Sequence, residues 1–157
     1  MSDCMRWRYG ETSPVVLPVD SATVIEIGDL VYLDTDDAKP AASQADQSSK
    51  VANQEVFHDK FAGVAMQRSP VGENNPIRVA TAGVFELDCT SATSEVGQLV
   101  GLEEQSNGTQ LENQKVDKVS AANLAIGRSV RRVNPAATRV LVEIVSTVVR
   151  GGPQAVL

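Results

Sequence analysis

The stretch IEIGDLVYLD, residues 25–34, is answered by SEVGQLVGLE, residues 94–103. Laid over each other, Glu26, Gly28, Leu30, Val31 and Leu33 fall on Glu95, Gly97, Leu99, Val100 and Leu102. Upstream, Ser21-Ala22-Thr23 is echoed by Ser91-Ala92-Thr93 with one residue of slippage. Each block reads as a strand, a Gly-centred turn or bulge and a second strand, in which Leu30 and Tyr32, like Leu99 and Gly101, share one face. The opposite face carries Val31 and Leu33, and Val100 and Leu102. Gly28 and Gly97 then supply a positive φ or a close backbone approach that a side chain would forbid.

The parallel continues outward. A small-residue strand, Phe61-Ala62-Gly63-Val64-Ala65, matches Leu124-Ala125-Ile126-Gly127-Arg128, and Ile77-Arg78-Val79 matches Thr138-Arg139-Val140 at the start of a long apolar strand. The repeated order predicts a mainly β fold, with two related β-rich halves forming a small barrel- or sandwich-like domain and little helix. Strands are expected near Ile25 to Leu33, Phe61 to Met66, Val79 to Leu87, Gln98 to Leu102, Ala125 to Val130 and Val140 to Val149. The organisation that follows is an N-terminal arm at 1–14 and one β domain at 15–149, made of repeats at about 15–80 and 81–149. A polar surface loop occupies 34–55, where no hydrophobic period is visible. A flexible tail covers 150–157 after the Gly-Gly-Pro break.

Composition supports this outline. The chain has 157 residues, 42% of them hydrophobic but only 4% aromatic, so Val, Leu, Ile and Ala must fill the core. Side chains of the β-branched kind pack well on a pleated surface. The net charge of −6 repels phosphate backbones and anionic lipid, so neither nucleic acid nor a membrane is expected as a partner. No stretch approaches the ~18 apolar residues of a membrane span and no signal peptide opens the chain, which predicts a soluble protein made in the cytosol. Cys4 and Cys89 match no disulfide framework or metal site and read as reduced thiols.

No constellation of residues makes an active site. Asp34, Asp36 and Asp37 begin like a calcium loop but lack its glycine and closing glutamate, leaving a solvated acidic turn. His58 has Asp59 beside it but no nucleophile motif, and reads as a loop or strand-edge histidine. GxSxG, HExxH and GxxxxGK[ST] are all absent, so no catalytic residue, metal or cofactor is expected. The distinctive patch is Arg6-Trp7-Arg8-Tyr9. It holds the single Trp and one of two Tyr between guanidiniums, the residue types that dominate binding hot spots. It is either a partner-anchoring arm, removable without harm to the fold, or Trp7 covers one end of the chain's own core.

IGDLVYLD, FAGVAM, RVATAGVFELD, GQLVGL, AIGRSV and RVLVEIV together resemble the small β-rich decoration, or cement, proteins of tailed-phage and prophage heads. Gly28-Asp29-Leu30-Val31 and Gly63-Val64-Ala65 fit that family's turns and strands, whereas Gly97-Gln98 and Ile126-Gly127 depart from them. The resemblance implies a virion protein assembled in the host cytoplasm. It would bind the major capsid protein on the capsid exterior, usually as a homotrimer, and stabilise neighbouring capsomers without catalysis. The alternative from another class is a small β-barrel module binding a carbohydrate or peptide.

Overall fold

The computed structural model describes residues 3–154. The strands are β1 (Trp7–Tyr9), β2 (Val15–Leu17), β3 (Leu30–Asp34), β4 (Asp37–Pro40), β5 (Phe61–Ala65), β6 (Ile77–Ala80), β7 (Ala82–Ser94), β8 (Leu99–Glu104), β9 (Leu111–Lys118), β10 (Gly127–Ser129) and β11 (Val133–Val145). Helices are α1 (Lys50–Lys60) and the single-turn α2 (Thr147–Arg150). The expected mainly β fold of two related halves is what the chain adopts.

One sheet runs β2-β6-β5-β3-β4 and the other β1-β7-β11-β10-β8-β9, with β7 also paired in parallel to β9. That extra pairing, Asp88 with Lys115 and Cys89 with Val116, closes five strands into a barrel and removes their free edges. Its order, β7-β11-β10-β8-β9, repeats the first sheet position by position. Leu30 pairs with Val64 as Leu99 does with Arg128, and Ala65 pairs with Val79 as Ser129 does with Val142. Leu17 lies opposite Ile77 as Leu87 lies opposite Val140. Where the barrel closes, the first sheet has a single bond, Ala38 N–H donating to the Pro18 carbonyl at 2.9 Å.

The glycine turns agree in detail. Gly28 and Gly97 have φ of 96° and 90°. Gly28 N–H donates to the Ala65 carbonyl and Ala65 N–H to that of Asp29; Gly97 and Ser129 N–H do the same to Ser129 and Gln98. These pairings also correct the expected alignment. Gly63 is equivalent to Gly127 and Val79 to Val142, an offset of one and two residues from the correspondence that identities alone suggest.

Equivalent positions fill the two interiors: Val31 and Val100, Ala38 and Val116, Ala62 and Ile126, and Ile77 and Val140 are all buried. Between the halves lies α1, whose Phe57 packs edge-on to Tyr32 at 5.9 Å and tilted against Phe61 at 5.6 Å between ring centroids. These rings join Leu102, Leu111, Ile126 and Ile144 in the largest buried cluster. Ser49 caps the helix by accepting from Ala52 N–H.

Four expectations change. The polar stretch 34–55 is not a structureless loop: it holds β4, a 3₁₀ turn at Ala41–Ser43 and the first half of α1. The expected strand Val79 to Leu87 is two strands in different sheets, divided at buried Thr81, whose hydroxyl donates to the Ser13 carbonyl at 2.7 Å. β9, in the polar run LENQKVDK, was not expected at all. The last strand stops at Val145, and the tail turns through α2 with Gly152 and Pro153 buried; residues 155–157 lie outside the described residues.

Candidate functional site

The N-terminal patch is built into the second sheet. β1 pairs with β7, Trp7 opposite Phe85 and Tyr9 opposite Val84, and Glu86 N–H donates to the Arg6 carbonyl at 2.8 Å. Residues 7–9 are therefore a strand and not a free arm; Met1 and Ser2 lie outside the described residues. Alternation of Arg6 and Arg8 with Met5, Trp7 and Tyr9 was the signal for that strand.

Arg6 is 6% exposed, and its guanidinium makes two parallel bonds at 3.1 Å to the Asp88 carboxylate. It also donates to Gln114 Oε1 at 2.8 and 3.0 Å. Gln114 Nε2 passes the network on to Asp29 Oδ1 at 2.8 Å, and Asp29 accepts Glu26 N–H with its other oxygen. Arg6 thus ties β7 and β9 of one half to the Gly28-Asp29 turn of the other. Burial raises the Asp29 pKa above the ordinary carboxylate value, with the Gln114 bond opposing it. Nothing local separates Arg6 from the exposed residues beside it, because its partners lie 82 and 108 residues away.

Trp7, Arg8 and Tyr9 face outward. Trp7 is 41% and Tyr9 53% exposed, with Met5 at 55% beside them. Trp7 is therefore not a core residue, and its Nε1–H donates to the Gly10 carbonyl at 3.0 Å. Arg8 donates to Glu86 Oε1 at 2.9 Å, and Arg139 approaches the same oxygen at 3.4 Å. The Arg8 hydrogen bond holds the Glu86 pKa below its ordinary value. No strand pairs with the outer edge of β1 among the described residues. The surface is thus an edge strand presenting sulfur, indole and phenol beside guanidiniums, suited to contact with another protein and without a nucleophile or base.

Other candidates settle into structural places. His58 sits on α1, not in a loop; its Nδ1 is 2.7 Å from the Ala125 carbonyl oxygen, which only an Nδ1–H can satisfy. Asp34 and Asp37 pair across the β3–β4 hairpin, and Asp34 holds Lys39 at 3.0 Å. Cys4 and Cys89 are free thiols. Among the described residues no group of His, Cys, Asp or Glu is placed to hold a metal ion, and no helix is long and apolar enough to cross a membrane.

A family model described as phage cement protein matches residues 44–144, from just before α1 almost to the end of β11. The chain belongs to the phage cement protein family. It is a structural component of a phage capsid, in a family that is not a class of enzyme. No curated protein matches the chain. The matched segment contains all five strands of the closed barrel except Val145, the last residue of β11. The exposed β1 residues precede it.

Proposed function

We propose that this cement protein binds the outer surface of a phage head and holds neighbouring capsomers together, contacting the major capsid protein through β1. The observation that carries the reading is the exposure of Trp7 and Tyr9 on an edge strand, with exposed Met5 just before it, in a chain with so few aromatic residues. Large amphipathic side chains of this kind become hot spots when a partner desolvates them. The fold itself suits a clamp, since a closed barrel deforms little and its ribbon of β7 and β11 reaches beyond the strands that close it. In this reading the protein is a homotrimer on the capsid exterior, joined to the shell in the host cytoplasm, and Arg6 supports the surface from beneath rather than touching the shell.

Many copies on one lattice add weak contacts into a large stabilisation of the assembled shell. Co-sedimentation with purified capsids tests the reading. The protein should pellet with shells and raise their melting temperature, and the Trp7→Ala variant should bind at least tenfold more weakly. A folded wild-type protein that stays in the supernatant at saturating concentration would refute it.

A further inference from the structure

Charge is divided unevenly along the chain. Residues 15–80 carry ten Asp and Glu against five Lys and Arg, whereas residues 81–150 carry eight against seven. Five of the chain's nine arginines fall between Arg128 and Arg150. Three of these, Arg131, Arg132 and Arg139, line a hollow of about 330 Å³ on the barrel surface, together with Glu86, Val133 and Leu141. Arg139 is held at 3.4 Å from Glu86 and 3.6 Å from Asp88, and Arg132 pairs with the exposed Glu95 at 3.2 Å. Arg131 has no carboxylate partner among the described residues. Glu86 is the one carboxylate lining the hollow; of the three guanidiniums it meets Arg139, and it is already engaged by Arg8.

A complementary charge lies on the other half of the same chain. The β3–β4 hairpin ends in Asp34-Thr35-Asp36-Asp37, a two-residue turn that brings three carboxylates to one tip. Lys39 neutralises Asp34 at 3.0 Å; Asp36 is exposed, and neither it nor Asp37 has an ion pair among the described residues. Among the described residues no ion pair links this tip to the hollow within one copy.

We propose that the arginine hollow of one copy receives the Asp36-Asp37 tip of a second copy, so that copies join head to tail. Guanidinium and carboxylate match in a planar, bidentate geometry that a lysine patch would lack. Such an interface uses different surfaces on its two sides, so it closes into a ring when the rotation between copies permits. The proposal rests on the self-association part of the function above and supplies the surfaces that part leaves open.

Sedimentation velocity of the full chain tests it, with circular dichroism confirming that each variant is folded. The wild type should self-associate, more weakly as sodium chloride is raised. Arg131→Glu with Arg132→Glu, or Asp36→Arg with Asp37→Arg, should each weaken association at least tenfold. All four substitutions in one chain restore complementary charges and should recover the assembly. A wild type that stays monomeric at millimolar concentration overturns both the interface and the expected trimer. Association that persists in the two reversed variants, or fails to return in the folded quadruple variant, overturns the interface alone. If hollow reversal leaves the assembly intact but abolishes capsid co-sedimentation, the hollow serves an acidic segment of the shell and the proposal is wrong.

Discussion

Gly63 and Gly127 occupy the same place in the two halves, each pressed against the backbone of the strand beside it. A Cβ on Gly63 would lie 1.8 Å from the Ala80 carbonyl oxygen, and one on Gly127 would lie 2.1 Å from that of Glu143. Val79 Cγ1 and Val142 Cγ1, themselves equivalent, would stand at 3.0 and 2.9 Å.

Replacing either glycine with alanine therefore forces the paired strands apart. Gly63→Ala and Gly127→Ala should each cost about 2–3 kcal/mol, the range for overpacking a filled site. Chemical denaturation should show a loss at both sites, the larger at Gly63, whose φ of 152° adds a backbone strain that Gly127 does not carry. A loss in one variant with none in the other would mean that the equivalence does not extend to energetics.

The Arg6 network should behave as a lock between the halves. Arg6→Ala leaves the Asp88 carboxylate with only the more distant Arg139 at 3.6 Å, and Gln114 Oε1, fully buried, without a donor. Loss of one partner from a buried ion pair costs about 3–5 kcal/mol, and the one-third exposed Asp88, with Arg139 still near, places this case at or below the lower end. Deleting residues 1–9 should lower the melting temperature for the same reason, against the expectation of a removable arm. A truncated protein as stable as the full chain would show that the network contributes nothing net.

Trp7 should separate binding from stability. Its ring is half in solvent and makes one hydrogen bond, so Trp7→Ala should change unfolding free energy by about 1 kcal/mol or less, well short of the ~3 kcal/mol for emptying a core aromatic site. Thermal melts beside the capsid assay read both quantities from one preparation.

Glu86 should leave a signature in acid. Its pKa in the folded chain is lowered by the Arg8 hydrogen bond from an ordinary value of 4.5. The unfolded chain therefore binds a proton at higher pH than the folded one, and the Arg8 contact stabilises fully only above that ordinary value. The stability advantage of wild type over Glu86→Gln should be greatest at neutral pH and vanish as pH falls through the lowered folded value. An advantage that stays constant down to pH 3 would exclude Glu86 ionisation as its source. Asp29 runs in the opposite direction: its pKa is raised by burial, so its ionisation opposes folding as pH rises.

The repeat was legible in the residues because local geometry wrote it. Gly28 and Gly97 both need a positive φ, and Leu30, Val31, Val100 and Leu102 alternate as strands with two buried faces require. The mainly β class and the relatedness of the halves came from such local signals, whereas the choice between an exposed and a core Trp7 was made only by the fold. α1 did not announce itself, because its buried face includes Asn53 and Gln54, amides that a hydrophobic period overlooks. They are buried only because Glu104 and the Leu102 carbonyl receive their N–H groups. The break at Thr81 was hidden for a related reason: apolar residues continue through it, and only the pairing partners change from one sheet to the other.

What the sequence determined by itself was the kind of element at each strongly patterned stretch and the fact that the pattern occurs twice. Which strand lies beside which, how β7 meets β9 to close the barrel, and whether an arginine is a surface contact or a buried tie were decided by the tertiary structure. Arg6 and Arg8 are alike as residues and adjacent but one in the chain, yet one is sealed against Asp88 and Gln114 while the other remains 40% exposed beside Glu86. Burial is a property of the neighbours that folding brings from a distance, and no local spacing records it.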